Sequence, residues 1–116
     1  MIRALKAWFL LVHAAMLAVT TWAGMQENLF VAGGRLVRDP WGLATLFDAY
    51  FAFLAFWLWL AWRERTWAPR ILWLLAILAL GNIAMAAYVL LQLFGLGAGS
   101  GLDALLQRKA LPGARP

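Results

Sequence analysis

The stretch from Pro69 to Phe94, "PRILWLLAILALGNIAMAAYVLLQLF", carries a single charge, Arg70, near its start. A helix that crosses about 30 Å of hydrocarbon needs about 20 mostly apolar residues. This stretch therefore predicts one continuous transmembrane helix. Moving outward, "PWGLATLFDAYFAFLAFWLWLAW" from Pro40 to Trp62 passes the same test, with one carboxylate, Asp48, inside it. So does "AWFLLVHAAMLAVTTWAGM", Ala7 to Met25. The expected fold is all-α: an integral membrane bundle of three transmembrane helices at about 7–25, 40–62 and 69–94. Residues 1–94 then form one transmembrane domain, and 95–116 a Gly-rich linker with an amphipathic tail.

Composition supports the class. Of 116 residues, 66% are hydrophobic and 13% charged, with mean hydropathy +0.79. Soluble domains are about half apolar and a quarter charged, and one core could not bury this much apolar surface. The absence of cysteine excludes disulfides, thiolate metal sites and cysteine nucleophiles. A net charge of +5 gathered at segment ends points to anionic lipid rather than nucleic acid. The first span could be read as a cleavable signal peptide, since Arg3 and Lys6 precede it. Trp22, with Thr20 and Thr21 upstream, makes a poor cleavage site, so a retained helix is preferred.

Local punctuation agrees with these spans. Asp39-Pro40 reads as an N-cap followed by proline in the first turn, and Thr66 to Pro69 opens the third helix in a similar way. "GLGAGSG", Gly95 to Gly101, ends it. Ser100 and Asp103 have capping-box spacing. Leu102, Leu105 and Leu106, with Arg108 and Lys109 nearby, predict a short helix lying on the membrane surface. "PGARP" reads as a loose end.

Orientation follows from Lys and Arg near span ends. Arg3, Lys6, Arg63, Arg65 and Arg70 lie on one side, Arg35 and Arg38 on the other, with Arg108, Lys109 and Arg115 farther off in the tail. The expectation is a multi-pass protein of a bacterial inner membrane, with its N-terminus cytoplasmic and its C-terminus outside. Trp8, Trp59, Trp62, Trp67 and Trp73 would form the inner aromatic belt, Trp22 and Trp41 the outer.

At 1.5 Å per residue, Asp48 lies about 12 Å from the outer end of its span, and Asn82 and Thr20/Thr21 about 20 Å from the inner ends of theirs. All share one layer. A carboxylate facing lipid costs about 3 kcal/mol, so Asp48 is expected to turn inward and meet Asn82, Thr20, Thr21 and Thr45 as donors. Such a cluster could be interhelical glue or a ligand, proton or ion site. Tyr50, Tyr88, Gln92 and His13 could line a pocket near it, and His13 alone could equally satisfy an interhelical hydrogen bond. Glu64, between Arg63 and Arg65, reads most simply as a solvated loop charge. No catalytic motif stands out, and a lone histidine without cysteine offers no metal site.

Residues of the second and third spans carry a resemblance: Pro40-Trp41, Ala44-Thr45-Leu46, Asp48, Tyr50, Trp59, Arg63-Glu64, Trp67, Ile71-Leu72-Trp73, Gly81, Tyr88 and Gln92-Leu93-Phe94. This pattern resembles the domain-of-unknown-function 1475 family of small integral membrane proteins. The likeness covers roughly half the chain, the first helix loosely and the tail not at all. It implies membrane architecture without a mechanism. It also singles out Asp48, Tyr50, Arg63 and Glu64, the last two as a fixed pair at the cytoplasmic interface.

The functional expectation is a small non-enzymatic membrane protein that works by helix association. It would act as a homo-oligomer or an accessory subunit, with lipid and other membrane subunits as partners and no cofactor. The alternative is a lipid-, quinone- or proton-handling protein or transporter that uses Asp48.

Overall fold

Pro69–Phe94 is not one helix. In the computed structural model, which describes residues 2–96 and 102–109, it divides at Gly81. The elements are α1 (Ile2–Gln26), α2 (Leu29–Arg38), α3 (Pro40–Arg63), α4 (Trp67–Leu80), α5 (Asn82–Gly95) and α6 (Leu102–Leu106). No strand occurs among the described residues. Among the described residues, α1 and α3 alone are long and apolar enough to cross a membrane.

The break doubles the chain back. Trp73 and Tyr88 are fifteen residues apart, about 22 Å along a continuous helix, yet their ring centroids lie 5.2 Å apart. The fold-back needs a residue that can turn without a side chain. Gly81 has φ +57 and ψ −124, a region essentially closed to residues with a Cβ. A Cβ there would also meet Phe53 Cζ at 2.8 Å. Each hairpin arm has 14 residues, about 21 Å long, too short to cross a 30 Å layer alone.

The returning arm organises the core. Leu60, Ile77, Ala84 and Tyr88 form one buried cluster, which joins α3 to the hairpin. Ile2, Val89, Leu93 and Leu105 form a second, which joins α1, α5 and α6. Ile2 packs near Leu93 while His13 meets Ile83, so α1 and α5 run antiparallel.

Both ends of the described chain therefore sit at the same end of the fold. The expectation set the two ends apart across a third continuous helix; here the third apolar stretch folds back at Gly81. The short helix expected in the tail is present as α6, with Leu106 exposed. The five-residue α6 tucks Leu105, 6% exposed, into the core beside Ile2.

Other sequence signals fare unevenly. Asp39 caps α3 as expected, its Oδ2 accepting from Gly42 N–H at 2.7 Å. Thr66 occupies the N-cap of α4 without a side-chain cap bond. α2 was not anticipated. Asn28 accepts from Phe30 N–H at 2.7 Å to start it, and its last turn packs against Gly42, where a Cβ would meet Leu36 O at 2.6 Å. Residues 97–101, including Ser100 of the expected capping box, and 110–116 lie outside the described residues.

Candidate functional site

Among the described residues two charges are buried, Arg63 and Glu64, and they end α3. They are 4% and 5% exposed. Burying an ion is costly unless its hydrogen-bonding capacity is met, and here three segments converge to meet it. Arg63 Nε donates to Leu105 O at 2.8 Å. Its Nη1 donates to Tyr88 Oη at 3.3 Å and to Gln92 Oε1. Tyr88 Oη donates in turn to Glu64 Oε1 at 2.8 Å, and Lys109 Nζ pairs with the same carboxylate oxygen. The expected Arg63–Glu64 pair is thus mediated: the Tyr88 hydroxyl stands between them, accepting from one and donating to the other.

Backbone groups complete the arrangement. Lys109 N–H donates to Arg63 O at 2.9 Å, and Arg65 Nε donates to Lys109 O at 2.8 Å. Arg70 donates to Ala61 O at 2.7 Å and to Glu64 O at 2.8 Å, holding the α3–α4 turn closed. Trp57 Nε1 donates to Arg70 O at 2.8 Å. The rings of Phe56, Trp59 and Trp73 surround Tyr88 edge to face, and Tyr88 is fully buried. The cluster has no exposed nucleophile or acid–base pair. Chemically it is a lock that ties α3, α5 and the tail together.

Of these residues, sequence reading named Arg63, Glu64, Tyr88 and Gln92 but placed the last two at the opposite end. It missed Lys109 and Leu105. The i, i+4 spacing of Tyr88 and Gln92 put them on one face; the return of the chain at Gly81 decided which end that face met.

The expected mid-depth cluster does not come together. Asp48, Asn82, Thr20 and Thr21 are exposed, and among the described residues none makes a side-chain hydrogen bond or ion pair. Thr45 Oγ1 donates to Trp41 O of its own helix at 2.8 Å. The reason for Asp48 is rotational. α3 turns Gly42, Leu46, Ala49, Phe53, Phe56 and Leu60 inward, all buried or half-buried. Asp48 lies about 120° around the helix from that row. It shares its exposed face with Ala44, Ala52 and Ala55.

Tyr50 and His13 join the hairpin instead. Tyr50 Oη donates to Leu78 O at 3.1 Å, and His13 Nδ1 lies 3.1 Å from Ile83 O. Both reach carbonyls next to the helix break, and that of Leu78, in the last turn of α4, has no partner within its helix. Among the described residues no group of His, Asp and Glu is placed to hold a metal.

These features define an all-helical protein of two long apolar helices with a broken helical hairpin wedged against them. The chain belongs to the family described as Protein of unknown function (DUF1475), whose model matches residues 2–108. The match takes in α1 and the tail as well as the two spans that carried the resemblance. No curated protein and no solved structure matches the chain.

Proposed function

We propose that this is a small non-enzymatic integral membrane protein that works by lateral association of helices, with α3 as its contact helix. α1 and α3 would span the bilayer, and the α4–α5 hairpin would re-enter from one side. Such a break is tolerated at membrane depth where protein buries it, and Gly81 is buried against Phe53. Many large apolar side chains lie exposed along α1 and α3, among them Leu11, Val19, Phe51 and Leu58. Lipid or partner helices would cover them.

Orientation follows from the hairpin. Arg3, Lys6, Arg63, Arg65, Arg70, Arg108 and Lys109 belong to one end of the fold, and Arg35 and Arg38 to the other. The cation-rich end is the cytoplasmic one, with the start and the end of the described chain both there.

Asp48 carries the reading. It stands outward at mid-height on an apolar helix, flanked by Ala44, Ala52 and Ala55. A carboxyl group facing lipid costs about 3 kcal/mol. A second helix packed on this small-residue face would relieve that cost by hydrogen bonding. The partner is a second copy or another subunit.

Native mass spectrometry from mild detergent tests this. Wild type is expected as a dimer or larger complex, and Asp48→Leu as predominantly monomer. A wild-type protein that is wholly monomeric and without a copurified subunit would overturn the reading. Asp48→Asn retains the hydrogen bond but cannot ionise, so assembly should persist. Dissipation of a proton gradient by wild-type vesicles, abolished in Asp48→Asn, would favour proton handling instead.

A further inference from the structure

The hairpin stops short of the far end of α1, and α2 lies across the space left there. Between them is a groove of about 520 Å³, lined by Trp22, Ala23, Leu29 and Ala32 among other apolar side chains. That volume is in the range of small-molecule sites. Gln26 and Glu27 contribute to its wall at the α1–α2 turn, and Thr20 lies farther along α1.

Glu27 lines the groove with its side chain 31% exposed, while its Oε1 is enclosed on the side of α2. Its one partner among the described residues is the guanidinium of Arg35, with which it forms an ion pair. The Arg35 side chain is 66% exposed, so its remaining N–H donors are free to meet an anion. An anion and a cation therefore stand side by side at the mouth of an apolar slot. α2 itself is amphipathic, with Leu29, Phe30, Gly33, Leu36 and Val37 on one side and Arg35 and Arg38 on the other. That is the pattern of a helix lying at the boundary between headgroups and acyl chains.

We propose that this groove binds one zwitterionic phospholipid with a primary ammonium headgroup. An acyl chain lies along Trp22, Leu29 and Ala32, the phosphate accepts hydrogen bonds from Arg35, and the ammonium donates to the exposed side of the Glu27 carboxylate. A carboxylate beside a guanidinium complements the headgroup's ammonium beside a phosphate. An anionic lipid lacking the ammonium sets its charge near the Glu27 carboxylate with no cation of its own to offset it. The proposal rests on the bilayer reading but not on association through Asp48.

The test places the full chain in nanodiscs of equal parts phosphatidylethanolamine and phosphatidylglycerol, releases it gently and counts retained lipids by native mass spectrometry. One phosphatidylethanolamine per chain is expected, preferred over phosphatidylglycerol by about tenfold or more, as charge-assisted hydrogen bonds imply. Ala32→Trp fills the slot and should abolish retention. Glu27→Gln should keep a bound lipid but lose the preference. Thermal unfolding of each variant separates loss of the site from loss of the fold. Retention of neither lipid by wild type, equal retention of both, or unchanged retention in a folded Ala32→Trp protein would each overturn the proposal. The same spectra report the oligomeric state, so failure of this site is read separately from failure of α3 association.

Discussion

The two ends of this molecule treat charge in opposite ways. Where Ile2, Arg63 and Lys109 meet, both buried ions are satisfied. Arg63 has Leu105 O, Tyr88 and Gln92, and Glu64 has Tyr88 and Lys109. Toward the other end, Asp48 stands exposed on α3 without a partner among the described residues, and Glu27 holds an exposed arginine at the mouth of an open groove. The first end is closed by its own chain. The second offers its polar groups outward, so stability should reside in one region and recognition in the other.

Removing one partner of the closed cluster should produce the largest loss. Arg63→Ala leaves Tyr88, Gln92 and the Leu105 carbonyl without their donor and Glu64 buried without the nearby guanidinium, at a cost of about 3–5 kcal/mol. Thermal unfolding in detergent should show a correspondingly large drop in Tm. A loss under about 1 kcal/mol, the value of an exposed pair, would mean that the cluster is solvated and that the contrast between the ends is false.

Gly81→Ala comes next. It combines a backbone conformation that costs about 1–3 kcal/mol for a residue with a Cβ with a contact on the Phe53 ring. Tyr88→Phe removes one hydroxyl that serves both ions, at about 1–3 kcal/mol, and should lower Tm with helix content unchanged. If Gly81→Ala were neutral or stabilising by the same assay, α4 and α5 would form a continuous helix and the fold-back would be wrong.

The smallest effect on the monomer sharpens the comparison from the open end. Asp48→Asn should change monomer stability by no more than about 0.5 kcal/mol, as expected of an exposed site. A large loss would place Asp48 inside the fold's own packing and remove it from the proposed contact face.

The sequence made the two long helices and the Asp39–Pro40 cap legible, because length, apolarity and capping chemistry are local properties. The hairpin was not legible for a physical reason. A single glycine in an apolar run costs a helix only about 1 kcal/mol, and a turn at Gly81 leaves the hydropathy of Pro69–Phe94 unchanged. Contacts such as that of Trp73 with Tyr88 tell the two apart. The same turn hid Lys109 as the partner of Glu64, since it alone brings the tail back to α3. α2 escaped notice because Gly33 and Gly34 interrupt a short segment whose helix depends on the Asn28 cap. Asp48 was expected to face inward and is exposed instead: position along α3 follows from counting residues, whereas rotation depends on which neighbour α3 faces.

The fold-back is most directly tested by labelling from one side. The chain has no native cysteine, so Arg3→Cys and Arg108→Cys can each be probed with a membrane-impermeant maleimide on sealed vesicles of known orientation. The account predicts that both sites react from the same side, the cytoplasmic one. Reaction from opposite sides would mean that the third apolar stretch crosses the bilayer, and would contradict it.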